Sequence, residues 1–172
     1  MKVTKCDSNH LARTIDFYKR VLQYLKNHIN FPKWSEEHPS EKNVMTAVNN
    51  GELFICLDGD NIAGACVISE DPEGFYEAGD WSKSLQEGEF LTIHLLAVDQ
   101  DYYRKGVGSV MVDACISYAK EHGYKAIRLD VVPDNHPASG LYMKKGFTYA
   151  GTKDLKRGIV EIPVFDLYEL NL

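Results

Sequence analysis

The sequence predicts an α/β fold, a single domain over residues 1–172 with a mixed central sheet and flanking helices. Three observations carry the prediction. An apolar run, Phe90–Val98, leads into a glycine-bearing turn, a long amphipathic stretch and a second apolar run, Ala126–Val132. Strand–helix–strand in that order is a crossover and implies a parallel pair. A hairpin before it and two strands after it supply antiparallel neighbours, and 172 residues suffice for a proper core.

The elements follow in chain order. Leu11, Ile15, Tyr18, Leu22, Leu25 and Ile29 recur at steps of four and three residues, one helix stripe capped by Asp7 or Ser8. Asn30–Trp34, with Pro32, breaks it. A short helix over Ser40–Asn49 has Val44, Ala47 and Val48 on its apolar side and stops at Asn50-Gly51. Leu53–Leu57 and Ile62–Ile68 read as a hairpin across Asp58-Gly59-Asp60-Asn61. Glu70–Gly88 is polar, with Phe75, Tyr76 and Trp81 interspersed. It reads as a loop with one helical turn near Trp81, and a connection of that length is functional or mobile. The helix ending at Gly123 shows Val107, Val110, Met111, Ala114, Cys115 and Tyr118 on one side. Pro137 suits the first position of a short helix that runs to Lys145. Phe147–Gly151 and Val164–Leu170 are the closing strands.

Composition narrows the function classes. The net charge is -6, a poor basis for general nucleic-acid binding, which needs clustered Lys and Arg. No apolar run approaches the ~20 residues of a membrane helix. The start, MKVTKCDSNH, has no signal-peptide core, so a cytoplasmic protein without membrane association is expected. Cys6, Cys56, Cys66 and Cys115 show no C-x-x-C spacing and read as small buried hydrophobes. The histidines are scattered, so no metal site is expected.

The chemistry concentrates in Tyr103–Ser109, YRKGVGS, where a glycine pair opens a helix. Unpaired N–H groups and the partial positive charge of a helix start make such an entry suited to phosphate. A Walker loop needs Lys-Ser/Thr after its last glycine, and Val107-Gly108-Ser109 does not supply it. A dinucleotide fingerprint needs a third small residue where Met111 stands.

A third reading fits better. LLAVDQDYYRKGVGS resembles the pyrophosphate loop of the GCN5-related N-acetyltransferases, Q/R-x-x-G-x-G/A, with Gly106 and Gly108 in place and Tyr103 where Gln or Arg is usual. LDVVPDNHPASGLYMKKGFTYAG is similar to the same family's N-x-x-A-x-x-L-Y-x-K-x-G-F, through Asn135, Ala138, Leu141, Tyr142, Lys144 or Lys145, Gly146 and Phe147. The two motifs stand in the family's order. The likeness covers roughly residues 89–151 closely and the rest of the chain loosely.

The resemblance implies a parallel pair, Phe90–Val98 and Ala126–Val132, that splays apart to admit acetyl-coenzyme A. Backbone groups of Leu96, Ala97 and Val98 would bond the pantetheine as an added strand does, and one N–H would hold the oxyanion. Amides of Arg104, Lys105, Gly106, Val107, Gly108 and Ser109 would cradle the pyrophosphate. Asn135, Ala138, Tyr142 and Lys145 would complete the coenzyme contacts.

Tyr142 is the implied acid for the leaving thiolate. Asp130 and His94 rank equally as base, with Glu89 behind, and a water chain with no single base stays open. Strand period puts His94 on one face with Leu96 and Val98. Trp34, Tyr76 and Trp81 lie in irregular segments that would flank an acceptor mouth, with Glu89 nearby. The expected activity is acetyl transfer to a primary amine of a small molecule or peptide, by direct attack in a ternary complex. A coenzyme-binding module without turnover is the alternative, and a nucleotide-binding protein a third. A homodimer is left open.

Overall fold

The computed structural model describes all residues, Met1–Leu172. Seven strands and four helices follow one another along the chain: β1 (Lys2–Lys5), α1 (Leu11–Lys26), α2 (Glu41–Asn49), β2 (Leu53–Asp58), β3 (Asn61–Ser69), β4 (Phe90–Val98), α3 (Val107–Glu121), β5 (Ala126–Val131), α4 (His136–Lys144), β6 (Thr148–Lys153) and β7 (Phe165–Asn171). The strand order is β1-β2-β3-β4-β5-β7-β6, a mixed sheet. Its parallel pair is β4–β5, as the crossover requires. Their ladder holds three pairs, Phe90↔Ala126, Leu91↔Ile127 and Thr92↔Arg128, and ends there although both strands continue.

Two compact units divide the chain. One comprises Met1–Ile68 and His94–Ala114, the other Ser69–Ile93 and Cys115–Leu172. In the first, α1 and α2 lay Phe17, Tyr18, Val21, Leu25, Val44 and Ala47 onto Leu53, Ile55, Ala65 and Val67 of the hairpin. A capping box fixes the start of α2, with Ser40 and Asn43 bonding each other's backbone N–H. In the second, the loop residues Tyr76, Leu155 and Ile162 join Phe90, Ala126, Phe165 and Leu167.

Several expectations shift. β1 pairs with β2 from Lys2↔Leu57 to Lys5↔Phe54, a four-residue strand too short and too polar to show a period. α1 stops at Lys26, and Ile29 is 71% exposed rather than part of the stripe. Its N-cap is His10. Asp7 sits one turn earlier and accepts from the N–H groups of Asn9 and His10. The buried side of α3 is Val107, Met111, Val112, Cys115 and Ala119, while Val110 faces out. The helical turn of the long loop falls at Tyr76–Ala78, ahead of Trp81. Pro137 is the second residue of α4, after His136.

Candidate active site

The first unit carries the second half of β4 and the glycine loop. Leu95 has φ +53°, a left-handed conformation inside a strand, where a γ-branched residue is strained unless its surroundings hold it. Tyr18, 1% exposed on α1, does so: its hydroxyl donates to the Leu95 carbonyl at 2.9 Å. Burial drives the Tyr18 phenol well above its ordinary range, so it stays a donor. The break at Leu95 ends the regular alternation, and Leu95 and Leu96 are both half-buried. Strand period from His94 to Leu96 and Val98 therefore does not carry across this residue. His94 itself is 8% exposed.

Beyond β4, Asp99 organises the turn. It is 4% exposed, accepts from the Asp101 N–H at 3.0 Å, and pairs with Arg20 of α1 at 3.1 Å. Arg104 (φ +61°) and Gly106 (φ +82°) then swing the chain into α3. Val107, Gly108 and Ser109 fill the first helical turn, whose N–H groups have no carbonyl one turn back within the helix. Space above the loop is open: a Cβ at Gly106 would meet nothing within 4 Å. Gly64 of β3 makes the helix start fit, since a Cβ there would lie 2.8 Å from Val107 Cγ1 and 3.1 Å from the Ala97 carbonyl. Lys105 lies over the Tyr102 ring. Tyr103 packs edge-on against Tyr24 of α1 at 5.6 Å, in place of the Gln or Arg of the usual motif. Trp34 is tied to Asn30 through two hydrogen bonds and tilts against Tyr18.

The second unit carries the other candidates. Asn135 caps α4 by accepting from the Ala138 N–H at 3.3 Å. Tyr142 is 5% exposed and meets Phe147 edge-on, 5.4 Å between centroids. Lys145 is the C-cap of the same helix.

Asp130 is held from two sides. Its Oδ1 accepts from the Tyr76 hydroxyl at 2.6 Å and from Arg157 at 2.7 Å, and its Oδ2 from Arg157 at 2.8 Å. Arg157 also donates to the carbonyls of Pro72 and Glu73, so it joins two loops to β5. Burial works against the Arg157 charge, but the Asp130 carboxylate outweighs it and holds the guanidinium above its ordinary range. Burial, then the Asp130 charge, pushes the Tyr76 phenol well up. Neither Arg157 nor the Tyr76–Asp130 bond is foreseeable from spacing, because the partners lie 27 and 54 residues away.

Two other candidates have packing or ion-pair partners in the second unit. Trp81 donates its indole N–H to the Tyr76 carbonyl at 2.6 Å and stacks its face on Arg128 at 4.4 Å. Glu89 precedes β4, pairs with Lys125 and accepts from the Gln86 N–H. No cluster of three metal-ligating side chains is present. The four cysteines form no disulfide and are buried.

Comparison with known proteins follows the same lines. The model of the acetyltransferase (GNAT) family matches residues 15–147. A mycothiol acetyltransferase of Propionibacterium freudenreichii is 31% identical over 120 residues, 67% of this chain and 37% of that protein. An uncharacterized N-acetyltransferase of Methanocaldococcus jannaschii is 30% identical over 83 residues, 48% of this chain and 37% of that one. The chain thus spans little more than a third of the length of these relatives. In fold, a GNAT-family acetyltransferase from Streptococcus agalactiae superposes with a TM-score of 0.77 at 14% identity, over 99% of this chain and 95% of the other.

Proposed function

The chain belongs to the GNAT family of acetyltransferases, and from that premise we propose that it moves the acetyl group of acetyl-coenzyme A to a primary amine of a small molecule. We take residues 1–172 as one catalytic domain acting in the cytoplasm, and no helix is long and apolar enough to cross a membrane. The observation that carries the reading is the run from Leu95 to Ser109. There a strand leaves regular geometry at Leu95, and open helix-start amides follow at Val107, Gly108 and Ser109.

In the proposed reaction the amine nitrogen attacks the thioester carbonyl carbon directly. A C–N bond forms and the C–S bond breaks. One proton leaves the nitrogen and one is delivered to sulfur. Backbone groups of Leu96–Val98 bond the pantetheine, and a backbone N–H there receives the charge that develops on the carbonyl oxygen. Amides of Arg104–Ser109 hold the pyrophosphate. Asn135, Ala138 and Lys145 steady the coenzyme from α4. Tyr142 gives the proton to the leaving thiolate.

His94 is the better of the two ranked bases. Asp130 has both oxygens engaged by Tyr76 and Arg157, and its role is to pin those loops.

The test is thiol release from acetyl-coenzyme A across an amine panel, with coenzyme-dependent melting measured in parallel. Turnover with at least one amine supports the enzyme. Stabilisation without thiol release on any amine supports instead a coenzyme-binding module, the reading favoured by Tyr103 turning to Tyr24 where the motif has Gln or Arg. No stabilisation at millimolar coenzyme A overturns both.

A further inference from the structure

The first unit contains a half-open cavity of about 570 Å³ between α1, α2 and the loop that joins them. That volume is in the range of small-ligand sites. Its walls are Ile15, Tyr18, Leu22, Pro39 and Val44, all buried or half-buried. Its exposed mouth carries three carboxylates, Glu36, Glu37 and Glu41, against one ammonium, Lys19. Glu41 pairs with Lys19 at 2.5 Å and Glu36 with Lys26 at 2.7 Å. All four of those side chains are more than half exposed, so an incoming cation can replace either lysine at little cost. An apolar wall under an acidic mouth fits an aliphatic cation and disfavours an anion.

The cavity is also coupled to β4. The Tyr18 ring lines it, and the Tyr18 hydroxyl bonds the carbonyl of Leu95, the residue before Leu96. An attacking amine must be neutral, so the ammonium held by the carboxylates is a second nitrogen of the same molecule. We propose that the cavity between α1 and α2 binds the aliphatic body and distal ammonium of a diamine or polyamine acceptor, through Glu36, Glu37 and Glu41. This rests on the acetyltransferase reading above and specifies its acceptor.

The experiment compares thiol release with butylamine, 1,4-diaminobutane, spermidine and a short peptide with a free N-terminus. It uses the wild-type chain, a Glu36→Gln/Glu37→Gln/Glu41→Gln variant and the cavity-filling Leu22→Trp. Diaminobutane or spermidine should exceed butylamine by about tenfold or more in kcat/KM. The triple variant should erase most of that preference by raising KM for the diamine, with KM for acetyl-coenzyme A unchanged. Leu22→Trp, which keeps the charges, should raise the same KM. Equal use of butylamine and diaminobutane, preference for the peptide, or a diamine KM indifferent to the triple variant would each overturn the assignment. Coenzyme A melting shifts on the same samples separate the two levels. Loss of the shift in the wild-type chain sinks the acetyltransferase reading, whereas a shift without diamine preference sinks only the cavity.

Discussion

Tyr76 and Tyr142 are both buried phenols in the second unit, 2% and 5% exposed, and they are proposed for different work. Tyr76 spends its proton on Asp130. Tyr142 is the proposed acid, so Tyr142→Phe should lower kcat by roughly 10²–10⁴ while KM for acetyl-coenzyme A stays nearly constant, read by thiol release across pH. Unchanged turnover at every pH would remove Tyr142 from the mechanism. The Asp130–Arg157 pair, 10% and 18% exposed, makes the opposite kind of forecast. Arg157→Ala leaves a buried carboxylate short of its partner and should cost about 3–5 kcal/mol in urea unfolding. Glu89 gives a pH signature. The Gln86 N–H, then Lys125, holds its carboxyl below the ordinary glutamate range. A depressed folded value contributes stability above the unfolded pKa and loses it as pH falls through the folded one. Glu89→Gln should therefore be slightly less stable than the wild type at neutral pH, and the difference should vanish as pH falls through the usual carboxylate range, read by urea unfolding at several pH values.

At the scale of elements, the junction of β3, β4 and α3 in the first unit is set by what is absent from Gly64. Gly64→Ala puts a methyl group 2.8 Å from Val107 Cγ1 and 3.1 Å from a backbone oxygen that cannot swing aside. The start of α3 must move. A loss of about 1–3 kcal/mol is expected, with weaker coenzyme A binding by calorimetry although residue 64 is itself no proposed ligand. Tyr18→Phe works on the other side of the same strand. It leaves the Leu95 carbonyl without its donor, which should cost about 1–3 kcal/mol in thermal or urea unfolding. If the left-handed turn at Leu95 serves catalysis, kcat should fall further than stability alone explains. Sequence periodicity located β4 and α3 well because their apolar residues recur locally. It misjudged the strand's second half because one residue at φ +53° resets the alternation and no residue type announces it.

At the scale of the whole molecule, coenzyme A at a hundred times its Kd should stabilise the chain by about 2.7 kcal/mol, visible as a higher Tm. The family and the α/β order were legible in the sequence. Apolar periods, the φ > 0 glycine at Gly106 and the Asn135–Phe147 motif are each encoded within a few turns of chain. Tertiary structure alone decided the partners of several candidates. It tied Asp130 to Arg157 and Tyr76, packed Trp81 onto Arg128, and stationed Glu89 before the strand rather than on it. It also hung the Leu95 carbonyl on Tyr18, 77 residues away. The physical reason is the same throughout. A backbone conformation or an amphipathic stripe is a property of neighbouring residues, whereas the partner of a buried polar group is fixed only when distant segments close around it and leave no water to take its place.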